Sequence, residues 1–239
     1  MFDFIIDYIK KRTKKGTFLR KVLRRAYLII RKCSPNFILK YIYRRLFKTS
    51  IFFQKSELEK NSLFPIEKLK KTVVLFQPKS VLDLGCGTGK SLDYFKLGGI
   101  EVIGVDGSKL AIRHALHPEL IIRHDLNKEL NLKRVFDLIW SYELVEHIHP
   151  KYVNNLLKTF SNHSDVIVMS AAKPGQGGEG HFNEQLPGYW IRMFIKYDYI
   201  YNDEKTEEFK KISEKYSENM LVFERKKIII NSKIHEKEN

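Results

Sequence analysis

The chain has 239 residues, of which 43% are hydrophobic and 13% aromatic, so it is long enough to bury one substantial core. Its two cysteines, Cys33 and Cys86, are too few for a disulfide framework or a cysteine-rich metal site, which favours a reducing, cytoplasmic environment. No apolar run reaches the length of a membrane span, and the first nine residues, which carry Asp3 and Asp7, do not resemble a secretory signal.

The net charge of +15 is concentrated in the first 50 residues, which hold 15 lysines and arginines but two carboxylates, a net of +13. Basic and apolar residues recur at helical spacing over 17–32 and about 36–48, so residues 1–70 are predicted to form a basic amphipathic helical segment. Three roles are open: packing on the following domain, attachment of residues 10–48 to an anionic membrane surface, and binding of nucleic acid. The second role would place a cytoplasmic protein at the periphery of a membrane.

Residues 71–225 are predicted to form an α/β domain, followed by a polar tail over 226–239. Short β-rich apolar runs alternate there with helical stretches, as in parallel strands joined by crossover helices. This pattern predicts a Rossmann-like, seven-stranded, mostly parallel sheet with helices on both faces, whose ligands bind beyond the carboxyl ends of the strands. The predicted strands are 80–84, 101–105, 119–122, 136–140, 166–170, 197–201 and 220–224, and the predicted helices are 91–97, 109–114, 150–161, 186–195 and 204–216.

The most informative stretch covers residues 81–90, where an apolar strand leads into Gly85, Gly87 and Gly89 and then into a helix. Glycine lets the backbone turn tightly and approach a ligand, and the start of the helix offers free N–H groups. The stretch does not match two other nucleotide-binding motifs. A phosphate-binding loop would need glycine at position 84, which is leucine, and a dinucleotide fingerprint would need glycine in place of Lys90.

The run Asp83-Leu84-Gly85-Cys86-Gly87-Thr88-Gly89 resembles the first motif of class I S-adenosylmethionine-dependent methyltransferases, in which an acidic and an apolar residue precede Gly-x-Gly-x-Gly. The resemblance implies an enzyme that binds S-adenosylmethionine at this loop. It also implies that Asp106 holds the ribose hydroxyls, that Asp125 faces the adenine amino group, and that Leu126 packs on the adenine ring. The implied cofactor-binding residues are Asp83, Gly85, Cys86, Gly87, Gly89, Asp106, Asp125 and Leu126.

A catalytic base is expected near the carboxyl end of the fourth strand, because methyl transfer to a hydroxyl requires alignment of the oxygen and removal of its proton. The segment after that strand contains Glu143-x-x-Glu146-His147, and a helical turn there would place these three side chains on one face. A glycine-rich loop over 173–180 precedes His181 and is expected to cover the site. His147, His181 and Glu143 are therefore the candidate catalytic residues.

The Glu-x-x-Glu-His cluster resembles that of quinone-biosynthesis O-methyltransferases and that of small-RNA 3′-end 2′-O-methyltransferases. In the second family the cluster and a later histidine hold a divalent metal, which implies Mg²⁺ or Mn²⁺ on Glu143, Glu146, His147 and His181 here. Without a metal, the carboxylates would cap backbone groups or orient a histidine. Residues 174–190 are also similar to uncharacterised methyltransferases of bacterial surface-polysaccharide clusters and of viral genomes.

These features favour an O-methyltransferase that acts on a hydroxyl of a small molecule, a saccharide or a lipid-linked acceptor. One alternative is an RNA 2′-O-methyltransferase whose basic segment binds phosphates, and another is a non-catalytic binding module with the methyltransferase fold. Nitrogen acceptors are disfavoured, because Ser141-Tyr142-Glu143 replaces the Asn/Asp-Pro-Pro-aromatic motif of amino methyltransferases.

Overall fold

The computed structural model describes residues 64–226, so the predicted basic helices and most of the predicted tail lie outside the described residues. Within this range, strands and helices follow one another in the predicted order. No helix in this part of the chain combines the length and the apolar content needed to cross a membrane. The strands are β1 (Ser80–Leu84), β2 (Glu101–Asp106), β3 (Ile121–Arg123), β4 (Leu138–Ser141), β5 (Val166–Ser170), β6 (Tyr199–Tyr201) and β7 (Met220–Arg225). The helices are α1 (Ile66–Phe76), α2 (Lys90–Leu97), α3 (Lys109–Arg113), α4 (Val153–His163), α5 (Pro187–Ile195) and α6 (Asp203–Lys210).

The strands form one seven-stranded sheet in the order β3-β2-β1-β4-β5-β7-β6. Strands β1 to β5 are parallel to one another, and β7 pairs antiparallel with both β5 and β6. This confirms the predicted Rossmann-like, mostly parallel sheet. The order reverses between β1 and β4, and a ligand crevice is expected at such a switch point, beyond the carboxyl ends of the strands.

Each face of the sheet is covered by its own buried core. Because successive strand residues point to opposite faces, β1, β4 and β5 contribute alternate side chains to the two cores. Helices α4 and α5 cover one face, and α1, α2 and α6 cover the other, which confirms helices on both faces. Burial on both sides explains why these strands consist of nearly continuous apolar runs. Members of the first core include Leu82, Ile139, Ile167, Phe160 and Phe194, and members of the second include Val81, Val168, Leu69, Phe95 and Phe209.

Helix α1 was not predicted, and a buried charge anchors it to the domain. The Nζ of Lys68, whose side chain has no solvent exposure, donates to Oε2 of Glu214 at 3.0 Å and to the carbonyl of Lys215 at 2.9 Å. The neighbouring Leu69 lies in the core. Helix α6 ends at Lys210 although a helix is predicted as far as residue 216, and the chain beyond it brings Glu214 and Lys215 to Lys68.

Candidate active site

The glycine loop after β1 turns sharply and is fastened to β2. The N–H groups of Gly85 and Cys86 both donate to the carbonyl of Val105, at 2.8 and 3.2 Å. Gly87 has a φ of +57°, and a Cβ added there would meet no atom within 4 Å. The glycine therefore provides a left-handed turn with open space beside it, which lets a ligand lie directly on the backbone. Gly89 then caps the start of α2.

Asp106, the last residue of β2, bonds to the same loop. Its Oδ2 accepts from the N–H of Gly87 at 2.8 Å, and its Oδ1 accepts from the N–H of Ser108 at 2.7 Å. Burial raises the pKa of Asp106, and the bonds from Ser108 and Gly87 oppose that rise. Each oxygen of the carboxylate keeps a second lone pair for a further donor. This arrangement fits an acid that binds two neighbouring hydroxyls of a ribose.

Asp83 is a buried carboxyl beneath the loop. Its side chain is 2% exposed, and Oδ2 has no hydrogen-bond partner among residues 64–226. Burial, and after it the charge of Asp106, raise the pKa of Asp83 well above its ordinary value. Burial also raises the pKa of the Cys86 thiol, so Cys86 is a protonated packing residue at neutral pH. An unsatisfied carboxyl beside open backbone fits a ligand that carries a cationic or hydrogen-bond-donating group.

Asp125 and Leu126 lie in a turn beyond β3. The exposed carboxylate of Asp125 accepts from the N–H and from Nδ2 of Asn127, at 3.1 and 2.9 Å, and so stabilises the turn. Leu126 is only 5% exposed and belongs to the core. Contacts of these two residues with an adenine ring stay predictions.

The acceptor side of the site is built at the ends of β4 and β5, and Glu143 does not lie in the predicted helical turn. Its φ is +53°, and the 3-10 turn that follows covers only Val145–His147. The N–H of Glu143 donates to Oγ of Ser170 at 2.6 Å, and that hydroxyl donates to Oε1 of Glu143 at 2.8 Å. Burial raises the pKa of Glu143, and the bond from Ser170 opposes the rise. Glu143 is thus tied to the end of β5.

Glu146, His147 and His181 converge, and each offers one ligand atom within 4.8 Å of the others. The two imidazole rings meet edge to face, with 5.0 Å between their centroids. Both carboxylate oxygens of Glu146 are buried and have no hydrogen-bond partner in the part of the chain that the structure describes. Burial, and after it the charge of Glu143, raise the pKa of Glu146 well above its ordinary value. Of the four metal ligands implied by the resemblance, Glu143 is outside this group.

Two residues of the site were not among the predicted catalytic, cofactor-binding or metal-binding residues. Ser170 ties Glu143 to β5, and Oε1 of Glu184 bonds to Nδ1 of His181 at 2.8 Å. Signals for both were present, because Ser170 ends a predicted strand and Glu184 follows His181 by three residues. The structure brings the two predicted catalytic histidines together, but their roles in a reaction remain predictions.

Replacing Asp83 with asparagine is expected to raise the free energy of unfolding at neutral pH by about 1 to 2 kcal/mol, because it removes a carboxyl that must either be buried as a charge or take up a proton on folding. The folded-state pKa of Asp83 lies above its usual value of 3.8, so this carboxyl binds more protons in the folded than in the unfolded protein between that pH and the folded-state pKa. Wild-type stability should therefore fall as pH rises from about 4 through the folded-state pKa, and the variant should fall less steeply.

Urea unfolding of wild type and Asp83→Asn at several pH values measures both effects. Asp165→Asn is the control, because this carboxylate is 73% exposed and pairs with Arg225 at the opposite, amino-terminal end of β5. An unchanged pH slope in Asp83→Asn would show that the carboxyl is not protonated by folding.

Comparison with known protein families identifies the family of this chain. A family model described as a methyltransferase domain matches residues 58–207, which is more than half of the chain. The chain therefore belongs to this family and is a class I S-adenosylmethionine-dependent methyltransferase. The open backbone at Gly87, the carboxylate of Asp106 and the unpartnered Oδ2 of Asp83 together fit S-adenosylmethionine, the methyl donor of this class.

Particular relatives resemble parts of the chain. The ubiquinone biosynthesis O-methyltransferase of Rhodopseudomonas palustris is 31% identical over 88 residues, which cover 34% of this chain and 35% of that protein. The match thus spans about a third of the length of this relative. A TehB-like SAM-dependent methyltransferase from Corynebacterium glutamicum has a TM-score of 0.54 at 17% identity, covering 72% of this chain and 94% of its own. The small RNA methyltransferase HEN1 has a TM-score of 0.51 at 15% identity, covering 75% and 27%. Both structures share the fold.

Proposed function

We propose that this protein transfers the methyl group of S-adenosylmethionine to a hydroxyl oxygen of a small-molecule, saccharide or lipid-linked acceptor. The observation that carries the proposal is the convergence of Glu146, His147 and His181 beyond the switch point between β1 and β4. A hydroxyl must lose a proton as it is methylated, and two adjacent imidazoles are suited to receive it near neutral pH. The O-methyltransferase activity named for the ubiquinone-pathway relative supports an oxygen acceptor.

One half of the site would bind the cofactor, and the other half would bind the acceptor. The cofactor supplies a methyl group that is activated by its bond to a positively charged sulfur. The glycine loop and Asp106 hold the cofactor, whereas the group at the ends of β4 and β5 orients the acceptor. As the oxygen–methyl bond forms and the sulfur–methyl bond breaks, the hydroxyl proton passes to His181 or His147, and the sulfur becomes a neutral thioether.

A divalent cation, Mg²⁺ or Mn²⁺, is a further proposal for the acceptor side. Glu146, His147 and His181 would hold it, and the unsatisfied oxygens of Glu146 fit a cation ligand. Bound there, a cation would lower the pKa of the acceptor hydroxyl, but it would also occupy the lone pairs with which the imidazoles accept a proton, so the cation and the imidazole base are alternative routes. Glu143 is not within the group of ligand atoms, so its part in such a site would be to adjust the charge of Glu146.

The acceptor class is tested with methyl-labelled S-adenosylmethionine and the full chain. The acceptors are a dihydroxyphenol, a set of free hexoses and a single-stranded RNA oligonucleotide. Each is assayed in two separate reactions, one with Mn²⁺ and one with EDTA. We expect label in an ether bond of the phenol or the sugar. Label in RNA alone would favour the second function described below. Binding of S-adenosylmethionine without transfer to any acceptor would favour a non-catalytic module, and equal rates in EDTA would remove the metal from the mechanism.

A second candidate function is 2′-O-methylation of RNA. It is favoured by the carboxylate–imidazole group and by the net charge of +13 in the first 50 residues. The fold shared with the small RNA methyltransferase HEN1 is compatible with it. If RNA is the acceptor, its affinity for the full chain should fall steeply and log-linearly with salt, by about 0.7 log units for each phosphate contacted per tenfold rise in salt. Binding to phosphatidylserine vesicles in place of RNA would assign the basic segment to a membrane surface.

A further inference from the structure

The carboxylate of Glu184 binds two backbone N–H groups of the glycine-rich loop over 173–180, which is also held at Gln176, where Oε1 accepts from Nδ2 of Asn219 at 2.7 Å. Oε2 of Glu184 accepts from the N–H of Gly175 at 2.9 Å, and Oε1 accepts from the N–H of Gly177 at 2.7 Å. Oε1 also lies 2.8 Å from Nδ1 of His181. Three donors from two parts of the site thus meet on one side chain, which is itself only 18% exposed.

The loop lies directly on the ring of His181. A Cβ added to Gly178 would be 2.2 Å from Nε2 and 2.5 Å from Cδ2 of His181, which is closer than any real side chain allows. Gly178 has no positive φ, so this glycine is required for space and not for backbone conformation. A larger residue at position 178 would therefore push the loop or the imidazole out of place. The loop covers the ring, and the side chain of His181 is only 10% exposed.

The residues on both sides of Glu184 are held by backbone hydrogen bonds that do not involve the loop. The N–H groups of Phe182 and Asn183 donate to the carbonyl of Glu146 at 2.8 and 3.1 Å, and the N–H of Gln185 donates to the carbonyl of Ala172 at 3.1 Å. These backbone bonds fix residues 182–185 to the ends of β4 and β5. Glu184 therefore projects from a fixed segment and determines where the loop and His181 lie.

We propose that Glu184 is the positioning residue of the acceptor side, which fixes the His181 ring with its proton on Nδ1 while it holds the glycine loop closed over that ring. A carboxylate can only accept, so Nδ1 must donate and Nε2 is left with the lone pair. The importance of Nε2 for turnover rests on the proposed function, whereas the tautomer and the loop closure do not.

The structural part is tested without any acceptor. Two-bond ¹H–¹⁵N spectra at about pH 8, where histidine is ordinarily neutral, report which nitrogen of His181 carries the proton. We expect the Nδ1–H form in wild type and a mixture of tautomers in Glu184→Gln, together with faster hydrogen exchange of the Gly175 and Gly177 amides. An Nε2–H ring in wild type, or spectra and exchange that Glu184→Gln leaves unchanged, would overturn the proposal.

The functional part of the proposal is tested with two variants that each displace the His181 ring or the loop over it. Glu184→Gln and Gly178→Ala should each lower kcat with the best acceptor by about 10- to 100-fold, while the Kd for S-adenosylmethionine stays within about twofold. Gly188→Ala is the control, because its Cβ would meet only the flexible Arg192 side chain at 3.4 Å. Retained turnover in both variants would overturn the positioning role, even where the proposed O-methylation is correct. If wild type methylates no acceptor, the proposed function fails and the spectra still decide the role of Glu184.

Discussion

Replacing Asp106 with alanine is expected to weaken the binding of S-adenosylmethionine by about 100- to 1,000-fold, or about 3 to 4 kcal/mol. Two losses combine in this variant. The ribose loses a charged acceptor, and the glycine loop loses the bond from the N–H of Gly87 to Oδ2, which is 2.8 Å long in the wild-type protein. Isothermal titration calorimetry of the full chain measures the change.

Two further variants separate the cofactor contact from a general loss of structure. Asp106→Asn keeps the shape of the side chain and should bind with intermediate affinity, because one of its atoms no longer accepts. Asp165→Ala removes an exposed carboxylate at the other end of the sheet and should leave the affinity unchanged. If Asp106→Ala bound the cofactor as tightly as wild type, the assignment of the ribose site to β2 would be wrong.

Replacing His181 with alanine is expected to lower methyl transfer by about 10² to 10⁴, the usual contribution of a positioned proton acceptor. Binding of S-adenosylmethionine should change by less than about twofold, since the imidazole contacts the acceptor half of the site. Initial rates with the best acceptor, together with calorimetry of the cofactor, measure the two quantities separately.

Two other histidine variants serve as comparisons for His181→Ala. His147→Ala perturbs the ring that lies 5.0 Å from His181, and a larger rate loss there would make His147 the proton acceptor. His114 is exposed at the end of α3, so His114→Ala should leave the rate unchanged. Wild-type turnover in both His147→Ala and His181→Ala would remove general-base catalysis by imidazole from the proposed mechanism.

The cofactor half could be predicted because its geometry is local. Gly85, Gly87 and Gly89 follow one strand directly, and Asp106 ends the next, so parallel pairing of β1 with β2 suffices to bring them together. The predicted α/β order was confirmed for the same reason, since each strand and helix shows its own periodicity. Helix α1 was missed, although Leu69 packs in the core, because it spans the predicted boundary at residue 70 between the basic segment and the α/β domain.

The acceptor half depends on contacts between distant segments, which periodicity does not report. Glu143 adopts a left-handed φ of +53°, a conformation for which a glutamate gives no sequence signal, so the predicted helical face failed at its first residue. The bonds from Ser170 to Glu143 and from Glu184 to the glycine loop exist only because β4, β5 and the segment 182–185 meet at one edge of the sheet.

The bond between the N–H of Gln185 and the carbonyl of Ala172 has a consequence for engineering. It closes the base of the intervening loop, so the chain between the two residues leaves and rejoins the domain at one place. Doubling the length of a closed flexible loop costs only about 0.6 kcal/mol, so residues inserted next to Lys173 and Pro174, before the glycines that bond to Glu184, are expected to cost little stability. Libraries of insertions at this point, with Gly175, Gly177, Gly178 and the histidine and glutamate after them left intact, are therefore a rational route to enzymes with new acceptor preferences.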